Sequence, residues 1–211
     1  SETYDALLLL AQVIGNTRAQ AQSYTLYEYQ EFTDVHMNVT TLGYLSWFDD
    51  QLTHKADAQS TTYIMNSLDG MANLAEMKLR DTTIVKNCVL ANNADGTDSI
   101  HIELYDETLD MRDTYVHPLT QQMFPVAEVG TYTDRIRKRW WFNSSGTNLH
   151  FTMTYTGCTL DATFDPANRR LINMQMDMKY YFDIDPGSIQ NFPILDASYG
   201  NDGANATRHD S

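Results

Sequence analysis

The C-terminal third of the chain carries a clear alternation of apolar and polar residues. Between Leu171 and Phe182, apolar side chains occupy the even positions, and polar or charged side chains occupy the odd positions from Asn173 to Lys179. Because successive side chains of a β-strand point to opposite faces, this run predicts a long antiparallel strand with one buried and one solvated face. The predicted buried face consists of Ile172, Met174, Met176, Met178, Tyr180 and Phe182.

A second alternating run precedes this strand and changes phase near its middle. Apolar residues fall on odd positions between Phe151 and Tyr155, and on even positions between Cys158 and Phe164. The change of phase at Thr156–Gly157 predicts a β-bulge or a sharp bend. Residues 165–168, with the sequence Asp-Pro-Ala-Asn, predict a turn between the two runs.

The N-terminal segment Glu2–Gln22 follows the helical period instead. Its apolar residues recur at spacings of three and four, as at Leu7, Leu10, Ala11 and Ile14. This spacing predicts an α-helix, and its wide apolar face leads us to expect that the helix packs against a sheet. After Ser23 the period changes to two, so Tyr24–Phe32 is predicted to be a half-buried strand.

Strand-like runs also fill the middle of the chain, namely Val35–Phe48, Thr61–Met65, Thr82–Leu90 and Ser99–Tyr105. The last two runs flank Asn92–Gly96, where Asn and Gly tolerate positive φ, so a hairpin is predicted there. Asp106–Val116 predicts a short helix capped by Asp106. Gly70–Arg80 fits either a helix or a strand.

These elements predict an α+β fold, in which an antiparallel sheet packs on an N-terminal amphipathic helix and one or two short helices. A length of 211 residues fits one domain with a sizeable core. We assign residues 1–198 to that domain. Residues 199–211, rich in Gly, Asn, Asp and Ser, are predicted to be a flexible polar tail.

The charge of the chain narrows the classes of partner. With 28 acidic and 14 basic residues, the net charge of −14 repels phosphate backbones and disfavours nucleic acid. The longest apolar run, Ala6–Ala11, is far shorter than a membrane span, so no transmembrane segment is predicted.

Nucleotide-binding loops, hydrolase elbows and zinc-ligand spacings are missing, which predicts a protein without a cofactor and without enzymatic activity.

Scarce Lys and abundant Thr, Asn and Tyr are typical of exported surface β proteins. We therefore expect an extracellular or surface-anchored protein; a signal segment, if one existed, has been removed before Ser1. Acceptor triplets for N-glycosylation occur at Asn38, Asn143 and Asn205.

The two cysteines, Cys88 and Cys158, each lie in a strand-like run. In an oxidising compartment they could form a disulfide if their strands are neighbours. The alternative is that both are small buried apolar residues.

Candidate chemistry is sparse. Asp49, Asp50 and His54 could hold a metal ion or could belong to a solvated loop. The carboxylates between Asp106 and Asp113 would suit acid–base catalysis in a cleft, or they are charges on the surface of a helix.

Two further features allow both a functional and a structural interpretation. Four cations within Arg135–Arg139 adjoin the aromatic residues Trp140, Trp141 and Phe142. They could meet an anionic headgroup or form cation–π pairs, or they could pair with carboxylates of the protein itself. The methionines of the alternating strand suit either an adaptable ligand cavity or ordinary core packing.

An amphipathic helix followed by Ser23–Tyr24, long strands and the hairpin at Asn92–Gly96 precede a closing signature. That signature reads FTMTYTGCTLDATFDP from Phe151 and LINMQMDMK from Leu171. In this arrangement the chain resembles surface lipoproteins of Gram-positive gut bacteria, whose architecture is similar to that of lipoprotein carriers. The resemblance implies a curved sheet that forms an incomplete β-barrel around helices and encloses an apolar cavity. Those families carry a lipidated Cys at their mature start, where this chain has Ser1.

The leading hypothesis is a non-enzymatic, extracytoplasmic protein that shelters a lipid or another apolar or amphipathic small molecule. The residues predicted to line its cavity and rim are Phe151, Met153, Met174, Met176, Met178, Trp140 and Trp141. The alternative is a structural or interaction subunit of a cell-surface assembly, in which Tyr24–Phe32 pairs with a protein partner. A third hypothesis is a hydrolase that uses the Asp106–Asp113 carboxylates.

Overall fold

A computed structural model describes residues 1–31, 35–36, 57–111, 119–124, 151–184, 200–201 and 204–210. These residues form an N-terminal helix, antiparallel sheets and short helical segments. The predicted fold class, an α+β fold with a curved and open antiparallel sheet packed on the N-terminal helix, is confirmed.

Helix α1 covers Glu2–Gln20. Ser1 begins it as the N-cap, because its Oγ accepts a hydrogen bond from the Tyr4 amide at 3.4 Å. Acidic residues in the first turn and Arg18 in the last turn complement the helix dipole. The buried stripe of the helix consists of Ala6, Leu7, Leu10, Val13, Ile14 and Thr17.

The strands are β1 Ser23–Glu31, β2 Val35–His36, β3 Asp57–Ile64, β4 Val85–Asn92, β5 Asp98–Leu104, β6 Glu107–Met111, β7 Phe151–Asp165, β8 Arg170–Ile184, β9 Gly200–Asn201 and β10 Ala204–Asp210. Seven of them form an antiparallel sheet in the order β3, β1, β10, β8, β7, β5, β4, and β6 adds an eighth strand by pairing with β7. Strands β2 and β9 form a separate pair. Within the described residues β3 and β4 are the edges of the large sheet and do not pair with each other, so that sheet is open.

The long hairpin of β7 and β8 lies in the interior of the large sheet. Its register places Leu160 opposite Met176 and Tyr155 opposite Tyr180, and it shifts between Thr156 and Thr159. Gly157, within that shift, has a φ of 57°, which residues with a Cβ rarely adopt. The bulge predicted from the change of hydrophobic phase is therefore confirmed. It also divides β7, whose first part pairs with β6 and whose second part pairs with β5.

The hairpin of β4 and β5 is confirmed as well. Its turn closes with hydrogen bonds from the Asn93 amide to the Thr97 carbonyl at 2.8 Å and from the Gly96 amide to the Asn93 carbonyl at 3.1 Å. Gly96 has a φ of 83°. A residue without a Cβ is needed at that point of the turn.

The core lies between α1 and the inner face of the sheet, where α1 contacts β8 and β4. One cluster of buried side chains contains Leu7 and Leu10 of the helix together with Met176 of β8 and Ile102 of β5. Helix and sheet thus share a single apolar layer. The alternation between Leu171 and Phe182 is confirmed as a long strand whose Met174, Met176 and Met178 are buried.

The segment that fits either a helix or a strand begins with a short helix, α2, over Leu68–Asn73. Ser67 caps it by accepting a hydrogen bond from the Gly70 amide at 2.9 Å. Two single-turn 3-10 helices follow at Thr82–Ile84 and Leu119–Gln122.

Three predictions are corrected by the sheet. The expected helix at 106–116 is wrong for Glu107–Met111, which is strand β6. This segment is a strand because its backbone pairs antiparallel with β7. The expected tail is wrong for Ala204–Asp210, which is strand β10 and pairs with both β1 and β8. For the same reason β1 is an interior strand, flanked by β3 and β10, and not a free edge. All three corrections have one cause: each segment pairs with a strand that is distant in the sequence.

Two glycines provide a matched test of the backbone. Gly157→Ala should lower the free energy of unfolding by about 1 kcal/mol, because an alanine at positive φ is strained. Gly15→Ala should raise it by about 0.5–1 kcal/mol, because Gly15 lies within α1 and a Cβ there has no neighbour within 4 Å. Urea unfolding curves measure whether each variant has a higher or a lower free energy of unfolding than the wild type. Equal stability of Gly157→Ala and the wild type would contradict the positive-φ bulge.

Candidate functional site

A surface depression opens where the C-terminal end of α1 meets the start of β1 and the turn between β7 and β8. Its volume is about 470 Å³, within the range of small-molecule sites. We call it the helix-end groove. The residues that line it are Thr17, Ala21, Ser23, Tyr24, Leu74, Asp165, Asn168, Arg170, Leu171 and Ile172.

Apolar side chains form one part of the helix-end groove and polar groups form another. Leu74 is buried, Leu171 is half-buried, and Ile172 keeps 49 % of its surface exposed. Ile172 lies near the start of β8, where the register with β7 shifts so that Thr163 is opposite Asn173 and Phe164 is opposite Leu171. An apolar molecule in the groove would shield this exposed side chain from water.

Thr17 joins helix and sheet at the base of the groove. Its hydroxyl donates to the Val13 carbonyl at 2.7 Å and accepts a hydrogen bond from the Leu171 amide at 2.7 Å. Because Thr17 is only 6 % exposed, these bonds satisfy a polar group that would otherwise be costly to bury. The bond to Leu171 holds the end of α1 against the first residues of β8.

The α2 side of the groove is held by hydrogen bonds from α1 and β1 to the backbone of the α2 region. The Arg18 guanidinium donates to the carbonyls of Met71, at 2.9 Å, and Leu74. The Tyr24 hydroxyl donates to the Gly70 carbonyl at 2.5 Å. A Cβ at Gly70 would collide with the Ile64 carbonyl oxygen, so only glycine lets this segment approach β3 so closely.

The opposite side is the turn between β7 and β8, which is also tied to α1. Asn16 donates to the Asn168 carbonyl at 3.4 Å, and the Arg169 guanidinium donates to Gln12 Oε1 at 2.5 Å. Arg169 itself has a φ of 52°. Contacts from α1 therefore fix both sides of the groove, which makes it a preformed feature of the fold.

The two charged residues that line the groove are Asp165 and Arg170, which are register partners at the end of the hairpin. Asp165 Oδ1 accepts a hydrogen bond from the Ala167 amide at 2.9 Å. Among the described residues, no carboxylate lies within ion-pair distance of Arg170, and its exposed guanidinium makes no hydrogen bond with them. An unpaired cation thus borders the groove.

The methionines predicted to line a cavity lie in the core instead of the groove. Met153, Met174, Met176 and Met178 are at most 7 % exposed and belong to the buried cluster that includes Leu7. Their inward orientation is as predicted, and they share this cluster with residues of α1. Direct contact of these methionines with a ligand stays a prediction.

Other predicted residues fall elsewhere. Phe151 begins β7, and Trp140, Trp141 and the cation cluster 135–139 lie outside the described residues. The same holds for Asn38, Asn143 and the Asp49–His54 group, whereas Asn205 lies in β10.

The second depression, of about 260 Å³, lies beside the carboxylates considered for catalysis, and Asp106 and Glu107 line it. Glu107 accepts hydrogen bonds from the amides of Leu119 and Thr120 at 2.7 and 2.8 Å and from the Thr120 hydroxyl at 2.5 Å. These bonds engage both carboxylate oxygens of Glu107 and anchor the 3-10 helix at 119–122. Asp113 lies outside the described residues.

The outer face of the sheet is polar and solvated. It carries the contact between His101 Nδ1 and Asp161 Oδ1 at 2.6 Å, and the pair of Lys86 and Glu103 lies beside it at the same distance. Neither of the two depressions opens on this face. These pairs are exposed, so they contribute little to stability.

Sequence reasoning missed the helix-end groove, because its residues come from three separate stretches of the chain, namely 17–24, Leu74 and 165–172. One local signal was present, since Arg169 and Arg170 form a basic pair in an acidic chain. The exposure of Ile172, by contrast, coincides with a shift in the register of β7 and β8 between Thr163 and Phe164. Sequence periodicity assigns that residue to the buried face and does not indicate this irregularity.

Comparisons with known proteins assign no function to the chain, so the proposal below depends on the geometry of the groove. No protein-family model, curated protein or solved structure matches the chain. The resemblance to surface lipoproteins therefore stays a prediction. In the part of the chain that the structure describes, no helix combines the length and apolarity needed to cross a bilayer.

The disulfide considered for Cys88 and Cys158 is not formed. Cys88 lies on β4 and Cys158 on β7, and β5 separates those strands. Two strand spacings amount to roughly 10 Å, beyond the roughly 7 Å that a disulfide can bridge. Burial, with smaller contributions from the charges of Asp106 and Glu107, raises the pKa of Cys158 to about 12. Burial also raises the pKa of Cys88, which is half-buried.

Thiol labelling tests this placement. In the native protein at neutral pH, Cys88 should react slowly with an alkylating reagent, and its rate should increase with pH because its raised pKa keeps the thiolate a minor species. Cys158 should react only after unfolding, since it is 2 % exposed. Mass spectrometry of labelled peptides measures both rates. Absence of alkylatable thiols in denatured, unreduced protein would contradict the free-thiol assignment.

Proposed function

We propose that this protein is a non-enzymatic, exported binding protein that shelters a small amphipathic molecule in the helix-end groove. The observation that carries the proposal is a preformed volume of about 470 Å³ with an apolar part, at Leu74, Leu171 and Ile172, and a polar part at its border. This combination is typical of sites that bury an apolar chain and orient a polar head.

The energetics of such a site need no catalytic group. Each methylene moved from water into an apolar environment contributes about 0.8 kcal/mol. The groove contributes further by being preformed, because ligand binding then orders few side chains. Thr17, Arg18 and Tyr24 already hold the surrounding elements through hydrogen bonds.

Met174, Met176 and Met178 share one buried cluster with residues of α1, and the end of α1 borders the groove. The methionines therefore belong to the core beside which the groove forms. Export is part of the proposal and is supported by the scarcity of Lys and the abundance of Thr, Asn and Tyr.

Ile172→Ser tests the groove as the binding site. We expect it to weaken binding of decanol, an uncharged amphiphile, by about fivefold to tenfold, because it removes part of the apolar contact surface. Isothermal titration calorimetry on the full chain measures the affinity. The matched control is Val89→Ser, which alters a side chain of similar exposure, 47 %, on the distant strand β4.

Val89→Ser should bind decanol as the wild type does. The proposal fails if the wild-type protein binds no amphiphile, or if Ile172→Ser and Val89→Ser bind decanol equally well.

A second candidate function, an interaction subunit, is favoured by the edge strand β4. Its Val89 and Leu90 are 47 % and 51 % exposed, and within the described residues no strand pairs with its outer edge. An unpaired edge with apolar side chains can add a strand from another chain. This candidate replaces the Tyr24–Phe32 segment with β4 as the pairing strand.

Sedimentation velocity tests the second candidate. A protein that assembles through β4 should sediment faster than a 24.1-kDa monomer, in a concentration-dependent manner. Val89→Lys should restore the monomer, because a charge on an edge strand opposes pairing. Leu68→Lys, at an 88 % exposed position of α2, is the control and should leave assembly unchanged. A wild-type monomer at all concentrations would exclude self-assembly through this edge.

A further inference from the structure

Positive charge is concentrated at the helix-end groove. Arg18, Arg169 and Arg170 lie at or next to residues that line it. The whole chain has only 14 basic residues against 28 acidic ones, so three arginines at one small site depart from its overall charge. The described residues at and next to the groove are therefore richer in arginine than the chain as a whole.

The hydrogen bonds of these arginines do not neutralise their charge. Arg18 donates to backbone carbonyls and Arg169 donates to the Gln12 amide, and both acceptors are uncharged. The Arg170 amide donates to Asn168 Oδ1 at 3.0 Å, whereas the Arg170 guanidinium makes neither a hydrogen bond nor an ion pair with the described residues. A guanidinium has five N–H donors, so Arg170 retains its full capacity to bind an anion.

Negatively charged groups near the groove oppose the arginines. The Asp165 carboxylate borders the groove, and one of its oxygens is engaged by the Ala167 amide. Asp210 ends β10 and pairs in register with Leu26 and Met174, two residues from the lining residues Tyr24 and Ile172. The C-terminal end of α1 adds a partial charge of about −0.5. Among the described residues that line the groove, Arg170 is nevertheless a cation whose guanidinium has no partner.

We propose that the ligand of the helix-end groove is a single-chain amphiphile with an anionic head, a carboxylate or a phosphate, and that Arg170 binds this head. The inference rests on the proposed function and specifies its ligand class. A guanidinium binds a carboxylate or phosphate through two parallel N–H···O bonds, which an uncharged head cannot reproduce. The apolar chain then lies along Ile172 and Leu171, the residues that follow Arg170 on β8.

The order of residues along β8 supports this arrangement. Arg170 comes first at the turn, and Leu171 and Ile172 follow toward the interior of the sheet. One short stretch of strand therefore presents a cation beside an apolar surface. An amphiphile with an anionic head has the same sequence of chemical groups, from charged to apolar.

Calorimetric titration of the full chain with four decyl compounds tests the inference. The probes are decanoate, decyl phosphate, decanol and decyltrimethylammonium, which share one chain and differ in the head. The wild type should bind at least one of the two anionic probes about tenfold more tightly than decanol, and the cationic probe most weakly. Comparison of decanoate with decyl phosphate then identifies the head.

Arg170→Gln is the deciding variant. It should weaken binding of the anionic probes by about threefold to tenfold and leave decanol binding unchanged, because the apolar surface is retained. Lys179→Gln is the matched control, since it removes one positive charge from the same strand, roughly 30 Å from Arg170. It should leave all four affinities unchanged.

The outcomes separate the two proposals. Equal binding of decanol and the anions, or anion binding that Arg170→Gln leaves intact, overturns the anionic-head inference while the amphiphile-binding function stands. An equal loss of anion affinity in Lys179→Gln also overturns it, because the preference is then a property of total charge. Failure of every probe to bind overturns the proposed function together with the inference.

Discussion

The burial of one helical stripe against the inner face of the sheet is the constraint on which the rest of this structure depends. Leu7, Leu10 and Val13 are fully buried, and they share a single core with the methionines of β8 and the isoleucines of β5. Burial of each such side chain contributes on the order of 1.5–3 kcal/mol. Because the sheet is open, α1 also shields an apolar inner face that no closing strand covers within the described residues.

The pairing of the strands determines where ligand-sized space remains. Strand β10 lies between β1 and β8, and its last residue, Asp210, pairs with Leu26 and Met174. The lining residues Tyr24 and Ile172 lie on the two flanking strands beyond that point. The register of β7 and β8 also shifts here, and the Thr17 hydroxyl holds the end of α1 against the Leu171 amide. The groove thus forms where β10 ends beside the end of α1, and its chemistry follows from the residues at the hairpin turn.

The elements predicted correctly are those whose signal is local. The alternation in β8, the change of phase that marks the Gly157 bulge and the Asn–Gly turn of the first hairpin all depend on neighbouring residues and on backbone geometry. The elements predicted wrongly are those whose partners are distant. Glu107–Met111 has no strong period of its own and becomes a strand because β7 pairs with it. Ala204–Asp210 resembles a polar tail in composition, yet it is a strand that pairs antiparallel with β1 on one side and β8 on the other.

The candidate site follows the same division. The sequence by itself determined that one face of β8 is apolar, that the N-terminal helix has a matching stripe, and that a basic pair interrupts an acidic chain at the hairpin turn. It could not determine that the methionines share one buried cluster with α1, or that β5 keeps the two cysteines apart. Only the tertiary structure decided that Thr17, Leu74, Arg170 and Ile172 surround one groove. The physical reason is that periodicity reports which face of an element is buried, whereas a site depends on where elements end and which of them become neighbours.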